Sequence, residues 1–255
     1  MLTFIGLGLS SFKDISLNSY EIIQNADVVL LDEYTNFVDK KGFNKFQETV
    51  DGDVRVVYRK FLEDNTQDIV NLAKTKKVAL VIPGDPFVAT THVTIRILAE
   101  ENRIPTKIIH NTSILSAVPS HLGLSAYKFG RTVTLPFPEN KSFYPYDITA
   151  KNQQIGAHTL LLLDIDVEND RYLSIPEALN LLQELEQERQ ESVFSKDKVV
   201  AGIARLGSDD SFTKVGTLSD LEDEKWGCPP QIIVIYASLH FAEEEALKKL
   251  WHFSP

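Results

Sequence analysis

A short apolar run followed by a turn rich in proline and glycine constrains the fold of this chain more than any other feature. Residues Val78 to Ile82 are all apolar, and Pro83-Gly84-Asp85-Pro86 follows them at once. An unbroken apolar run of this length is typical of a strand that is buried on both faces of a parallel sheet. Two prolines fix the backbone and one glycine permits an unusual dihedral, so the turn is expected to be stiff.

The turn lies where an α/β protein of this kind is expected to bind a ligand. In open α/β sheets, ligands bind at the carboxyl ends of the strands. Gly-Asp-Pro is also ordinary β-turn chemistry, and that reading needs no ligand. Ala89, Thr90 and Thr91 favour a site, because they are small or hydroxylated residues at the predicted start of a helix, with free amides that could face a ligand.

Two further turns of the same kind follow predicted strands. The first strand, Leu2 to Leu9, ends in Gly6-Leu7-Gly8, and Asn111-Thr112-Ser113 follows a strand over 106–110. We expect the three turns to converge on one ligand, although every α/β domain has loops at these positions. Ser11 occupies the place of the third glycine of the dinucleotide fingerprint, which disfavours a Rossmann site for a nicotinamide cofactor.

The second half of the chain has a different texture, which predicts two α/β domains. Consecutive strands alternate there with helices, so a mixed sheet is expected rather than a second parallel one. Ser174 and Glu177 form a capping box that opens an amphipathic helix to about Glu188. We place the boundary so that residues 1–124 form the domain with the parallel sheet and residues 125–255 form the domain with the mixed sheet.

Composition excludes several classes of function. Acidic residues outnumber basic ones by 36 to 26, which gives a formal charge of -10, and no block of Lys and Arg stands out. Direct binding to nucleic acid is therefore disfavoured. No apolar run approaches the roughly 20 residues of a membrane helix, so a cytoplasmic protein without membrane contact is expected. A single cysteine, Cys228, excludes an internal disulfide framework and fits a reducing compartment.

The sequence predicts no metal centre and assigns no catalytic residue. Six histidines occur without H-x-x-x-H or H-E-x-x-H spacing, and the G-x-S-x-G elbow and the Walker phosphate loop are absent. A ligand that needs backbone contacts and one or two carboxylates fits the remaining features. A cationic sulfonium cofactor meets this description. His92 and Tyr127 are candidates for moving a proton, and bulk water is the alternative.

The motifs together resemble the diphthine synthase family, which has the tetrapyrrole-methylase fold. The resemblance runs from Met1 almost to the carboxyl end and rests on five stretches of sequence. They are Phe4-Ile5-Gly6-Leu7-Gly8-Leu9, Asp32-Glu33-Tyr34-Thr35, Pro83 to His92, Tyr127-Lys128-Phe129-Gly130 and Ala204-Arg205-Leu206-Gly207-Ser208.

The resemblance implies an S-adenosylmethionine-dependent methyltransferase that forms homodimers and holds the cofactor in a cleft between its two domains. The implied substrate is the amino group of the modified histidine on translation elongation factor 2, with S-adenosylhomocysteine as the other product. Because the longer insertions of eukaryotic members are absent, archaeal-type trimethylation is expected. The family's cofactor contacts fall on Leu9, Asp85, Val88, Ser113, Ile114, Leu163, Leu206 and Gln231. Gln231 departs from the His of many archaeal relatives.

Two alternatives remain at this stage. A tetrapyrrole methyltransferase of the same fold would act on a small corrin precursor, but those enzymes resemble one another through a Gly-Asp-Pro near the first strand, where this chain has Ser10-Ser11-Phe12-Lys13-Asp14. A non-catalytic module that binds elongation factor 2 is the alternative from another class. Transfer of label from the cofactor separates the three hypotheses.

Overall fold

A computed structural model describes residues 1–32, 46–48 and 50–254 of the chain. They divide into two compact units, Met1–Ile114 with Val167–Asp170, and Leu115–Asp166 with Arg171–Pro255. The division falls after Ile114, at the start of a helix that spans Ile114–Leu122. The predicted boundary after residue 124 lies just beyond the end of the same helix, where the composition changes. Glu33, Tyr34 and Thr35 of the family pattern lie outside the described residues.

The first unit contains a parallel five-stranded sheet, as predicted. Its strand order is β3-β2-β4-β1-β5. The strands are β1 (Leu2–Gly6), β2 (Val28–Asp32), β3 (Asp53–Val57), β4 (Val78–Ile82) and β5 (Thr106–Ile109). Strand β4 is central and every one of its residues is buried, which confirms the interpretation of the apolar run.

Helices cover both faces of this sheet, which explains why its central strand β4 is apolar throughout. The helices are α1 (Leu17–Gln24), α2 (Arg59–Glu63), α3 (Thr66–Thr75) and α4 (Val93–Glu101). Helix α5 (Ile114–Leu122) has only its first residue in this unit. Leu80 belongs to one apolar cluster with Ile69 of α3 and Ala99 of α4. Its neighbour Val81 belongs to a second cluster with Ile23 of α1. Successive residues of a strand point to opposite faces, so both faces must be apolar.

The strand order reverses at β1, and this reversal positions the candidate site. Because β1 lies between β4 and β5, the chain leaves β1 towards β2 in one direction and leaves β4 towards β5 in the other. Adjacent connections that diverge in this way leave a crevice at the carboxyl ends of the strands, where α/β proteins bind ligands. The three predicted turns follow β1, β4 and β5, which are neighbours.

The second unit contains a mixed five-stranded sheet, which confirms the second fold prediction. Its strand order is β11-β10-β12-β7-β6, in which only the β6–β7 pair is parallel. The strands are β6 (Val133–Leu135), β7 (Thr159–Leu163), β10 (Val199–Ala204), β11 (Phe212–Thr217) and β12 (Gln231–Ile235), and a short hairpin contributes β8 (Ile165–Asp166) and β9 (Arg171–Tyr172). The helices are α6 (Tyr144–Gln154), α7 (Ile175–Arg189), α8 (Leu218–Glu222) and α9 (Phe241–Leu250).

Helix α7 supplies much of the core of the second unit. The predicted capping box is present, since Ser174 accepts a hydrogen bond from the amide of Glu177 and the Glu177 side chain accepts one from the amide of Ser174. The buried face of α7 packs with strands β7, β10 and β12 in one apolar cluster.

None of the described helices combines the length and the apolar character that crossing a membrane requires. Within the described part of the chain, no three His, Cys, Asp or Glu residues are grouped so that they could hold a metal ion.

Candidate functional site

The three turns at the carboxyl edge of the first sheet are in contact, as predicted. The amide of Gly84 donates a hydrogen bond of 2.8 Å to the carbonyl of Gly8, and the amide of Gly8 donates one of 3.2 Å in return. The side-chain amide of Asn111 donates to the carbonyls of Gly6 and Asp14, each at 3.0 Å. The turns after β1 and β4 are thereby joined through their backbones, and the Asn111 side chain joins the turn after β5 to the turn after β1.

Glycine is required at position 6 by this close approach. A Cβ atom placed there would lie 2.6 Å from the carbonyl oxygen of Gly84 and 2.7 Å from Cβ of Asn111. Real Cβ atoms do not approach other atoms so closely, and the nearest obstacle is backbone. The Gly-x-Gly pattern therefore serves first to bring the turns together, and the ligand is expected to meet backbone that the glycine has made accessible.

The backbone at Gly84 is open on the side where a side chain would stand. Gly84 has a φ of +74°, and the nearest atom to a Cβ placed there would be Cβ of Ser113 at 3.8 Å. Ala89 in the same turn also has a positive φ, of 56°, although it is not glycine. Such a conformation persists only where the surroundings fix it, so the turn is held in one shape.

Asp85 fastens this turn to the end of β5. One carboxylate oxygen accepts a hydrogen bond from the amide of Phe87 at 3.3 Å. The other oxygen accepts from Nδ1 of His110 at 2.8 Å and from the amide of Asn111 at 3.3 Å. The carboxylate is nearly buried and therefore has a structural role that the sequence did not reveal. Because a carboxylate has about four acceptor positions, these three hydrogen bonds leave one position for a ligand.

The other predicted contacts of the first unit lie at the same edge. Leu9 follows the Gly8–Gly84 pair, Val88 lies in the β4 turn, and Ser113 precedes the first residue of α5, which is Ile114. Ser113 is buried, whereas Leu9, Val88 and Ile114 are half-buried. The structure thus brings five predicted residues together around backbone that is partly open.

The three predicted residues of the second unit lie together at one end of the mixed sheet, where β7 and β10 end and β12 begins. The register pairs Ile232 with Leu162 and Gln231 with Ala204, which places Gln231 beside Leu163. Leu206 follows two residues after the end of β10. These positions were predicted from the resemblance alone, and the strand pairing accounts for their proximity within this unit.

Both the oxygen and the nitrogen of the Gln231 side-chain amide form hydrogen bonds with the backbone. Its oxygen accepts a hydrogen bond of 2.8 Å from the amide of Ile175, and its nitrogen donates one of 2.9 Å to the carbonyl of Gly227. The side chain thereby caps the start of α7, where a backbone amide lacks a helical partner. These two hydrogen bonds fix the orientation of the Gln231 side chain.

The two residues considered as proton carriers lie in opposite environments. His92 is 1% exposed, and its Nε2 lies 3.3 Å from a carboxylate oxygen of Asp32, which is also buried. Neither ring nitrogen of His92 makes a hydrogen bond within the described residues. Tyr127 is fully exposed to solvent. The contact between His92 and Asp32 was not predicted, although both residues belong to quoted family motifs.

The Tyr127-Lys128-Phe129-Gly130 motif is largely structural. Lys128 Nζ donates to Glu243 at 2.8 Å and to the carbonyl of Ser238 at 2.5 Å. Phe129 contacts the ring of His158, and a Cβ on Gly130 would overlap the side chain of Asn152. The motif therefore joins the start of the second unit to the end of its last strand.

Glu243, His158 and Lys128 form a buried network in the second unit. Nδ1 of His158 accepts a hydrogen bond from the amide of Ala237, so the ring proton is on Nε2. That nitrogen lies 3.4 Å from Oε1 of Glu243. Burial lowers the pKa of His158 despite the neighbouring carboxylate. Burial alone would raise the pKa of Glu243, but hydrogen bonds from Lys128 and from the amides of His240 and Ser125 outweigh it and lower the pKa to about 2.

Comparison with known proteins gives consistent results over the whole chain. The sequence profile of the family described as Tetrapyrrole (Corrin/Porphyrin) Methylases matches residues 1–222. A diphthine synthase of Methanosphaera stadtmanae is 41% identical over 249 residues, which cover 97% of this chain and 94% of that protein. A diphthine synthase of Methanocella arvoryzae is 40% identical over 253 residues, covering 98% of each. A crystal structure of diphthine synthase superposes with a TM-score of 0.89 at 35% identity and covers 100% of this chain and 96% of that one.

Proposed function

Because the chain belongs to the tetrapyrrole (corrin/porphyrin) methylase family, we propose that it transfers methyl groups to the modified histidine of translation elongation factor 2. Full-length similarity to diphthine synthases makes the chain an S-adenosylmethionine-dependent methyltransferase of diphthamide biosynthesis. The proposal adds the protein substrate, its amino group as the acceptor, and three transfers per histidine. The observation that carries it is the match to diphthine synthases over 97% of the chain.

The residues at the edge of the first sheet fit a sulfonium cofactor. Gly84 leaves its backbone open, and a Cβ there would have only Ser113 within 4 Å. The carboxylate of Asp85 favours a positively charged ligand, since opposite charges attract more strongly where water is partly excluded. Half-buried Leu9, Val88 and Ile114 supply apolar surface beside backbone groups, which is the usual composition of a cofactor site.

The cofactor supplies a methyl group activated by the positive charge on sulfur. Displacement at that carbon requires the attacking nitrogen to lie in line, so positioning accounts for much of the rate. The joined turns after β1, β4 and β5 provide rigid positioning through the hydrogen bonds of Gly8, Gly84 and Asn111. The amine must arrive deprotonated, and release of its proton to water requires no further residue.

A direct assay of methyl transfer tests this proposal. Elongation factor 2 that carries the unmethylated modified histidine is incubated with the protein and with cofactor labelled in its methyl group. We expect label on the factor, a gain of three methyl groups on the peptide that contains the histidine, and no label on a factor whose histidine is replaced by alanine. Absence of label from the intact factor, with active cofactor present, would contradict the proposal.

The description of the family profile favours one second candidate function, methylation of a tetrapyrrole. The same assay tests it. A corrin precursor replaces the protein substrate in a parallel reaction, and label only on that compound would favour this candidate. The non-catalytic alternative does not agree with full-length similarity to methyltransferases.

We further propose a homodimer, for which light scattering should give about twice the chain mass of 28.7 kDa.

Asp85→Ala is expected to weaken cofactor binding without unfolding the protein. The substitution removes a negative charge and releases the β4 turn from His110 and Asn111. We expect an affinity for S-adenosylhomocysteine about tenfold lower in calorimetry, equivalent to about 1.4 kcal/mol. Asp53→Ala is the matched control, because Asp53 forms an exposed ion pair with Arg55 at the amino edge of the same sheet. Equal affinity of the Asp85 variant and the wild type would remove Asp85 from the site.

A further inference from the structure

Arg205 joins two loops at one end of the second sheet, the loop that follows β10 and the loop that precedes β12. It follows β10 and has a φ of 51°, in the left-handed region. Its Nε donates a hydrogen bond of 2.6 Å to the carboxylate of Asp210, and its Nη2 donates one of 2.9 Å to the carbonyl of the same residue. Its Nη1 donates to the carbonyls of Trp226, at 2.8 Å, and Cys228. We refer to Arg205, Asp210 and these two carbonyls as the arginine brace.

The segment that the brace holds is anchored at its other end by an aromatic side chain. Trp226 is buried, and its ring lies over Gly202 of β10, where a Cβ would be 2.2 Å from the ring. The amide of Arg205 donates a hydrogen bond of 2.8 Å to the carbonyl of Pro230, one residue before β12. Residues 226–230 are thus fixed by a packed ring, by a guanidinium group and by the backbone.

Both neighbouring residues predicted to contact the cofactor depend directly on the brace. Leu206 is the next residue after Arg205 and shares its loop. Gln231 donates its side-chain hydrogen bond to the carbonyl of Gly227, which lies between the two carbonyls that Arg205 binds. A Cβ on Gly227 would be 3.2 Å from Nη1 of Arg205, so the guanidinium lies closely against this backbone.

We propose that Arg205 is a positioning residue that holds the backbone of Leu206 and Gln231 in the conformation that contacts the cofactor. This inference rests on the proposed function, because it assigns those contacts to the cofactor. A left-handed conformation in a residue other than glycine persists where surrounding bonds over-determine it, and the brace supplies four such bonds from one side chain. Contacts made through backbone atoms lose affinity when the backbone shifts by a fraction of an ångström.

The planar guanidinium is the part of Arg205 that matters. It directs donors towards Asp210 on one side and towards the carbonyls of Trp226 and Cys228 on the other, in a fixed fork. Lysine has a single ammonium group on a flexible stem and cannot reproduce this arrangement. Arg205→Lys therefore keeps the charge and removes the geometry.

Calorimetric titration with S-adenosylhomocysteine tests the inference. We expect Arg205→Met and Arg205→Lys to bind about tenfold or more weakly than the wild type, because misplaced contacts lose much of their value. Asp210→Ala removes one arm of the brace at a side chain that is 71% exposed, and a smaller loss of affinity is expected. Arg189→Met is the matched control, since Arg189 contacts Asp147 at 3.1 Å and the ring of Phe143 in the same unit, away from this edge.

A role in stability alone would give a different pattern. Melting temperatures would fall for the Arg205 variants, while the affinity measured well below those temperatures would equal that of the wild type, and this result would overturn the inference. If Arg205→Met does not fold, Asp210→Ala and Arg205→Lys decide in the same way. Failure of the wild type to bind would instead overturn the proposed function, and the inference with it.

Discussion

The Gly6→Ala variant is expected to lose cofactor affinity by about tenfold or more while it remains folded. The added Cβ would lie 2.6 Å from the carbonyl oxygen of Gly84, and backbone must move to relieve this contact. Movement there separates the turn after β1 from the turn after β4, which are joined by the paired hydrogen bonds of Gly8 and Gly84. Titration with S-adenosylhomocysteine measures the loss directly.

Gly52→Ala is a matched control for this variant. A Cβ on Gly52 would lie 2.6 Å from the carbonyl oxygen of Ala26, which is the same kind of contact at the amino edge of the same sheet. Both variants are expected to lose about 1–3 kcal/mol of unfolding free energy, because both force atoms into occupied space. Only Gly6→Ala should lose affinity. Equal affinities of the two variants would contradict a binding site at the carboxyl edge.

Glu243→Ala is expected to lower the unfolding free energy by about 3–5 kcal/mol, because it leaves buried partners without their acceptor. Glu243 is 3% exposed and accepts hydrogen bonds from Lys128, His158 and two backbone amides. Glu245→Gln on the same helix is the control, since Glu245 is exposed and should change the free energy little. Urea unfolding at neutral pH measures both. A loss below about 1 kcal/mol would show that the network is not stabilising.

The same network predicts how stability depends on pH. The pKa of Glu243 is about 2 in the folded chain, below its ordinary value of 4.5. A lowered pKa means that the ionised form contributes stability above 4.5 and that this contribution is lost as the pH falls towards 2. The difference in unfolding free energy between the wild type and Glu243→Gln should therefore shrink over this range. A constant difference would contradict the assignment of the charge.

Much of the fold follows from local patterns, because those patterns report burial on each face. The run from Val78 to Ile82 predicted a strand covered on both sides, and the structure places it at the centre of the first sheet. The capping box at Ser174 and Glu177 predicted the start of α7, because two reciprocal hydrogen bonds act within one turn. The contact between the three turns followed from the carboxyl ends of neighbouring parallel strands.

The parts that the sequence did not reveal depend on contacts between distant residues. Glu243 is one of three consecutive acids near the start of α9, and only the fold brings Lys128 to it. Arg205 binds backbone carbonyls of Trp226 and Cys228, and a carbonyl leaves no trace in a sequence. A charged residue immediately after a buried strand, as at Arg205, is the one local signal that was available.

A crystal structure of the protein with S-adenosylhomocysteine tests the central claim most directly. The account predicts ligand density against the backbone of Leu9, Gly84, Val88 and Ser113, at the ends of the strands that converge around β1. Density at the amino edge of the sheet, near Gly52, would contradict it. So would an unliganded carboxyl edge in crystals grown at saturating ligand.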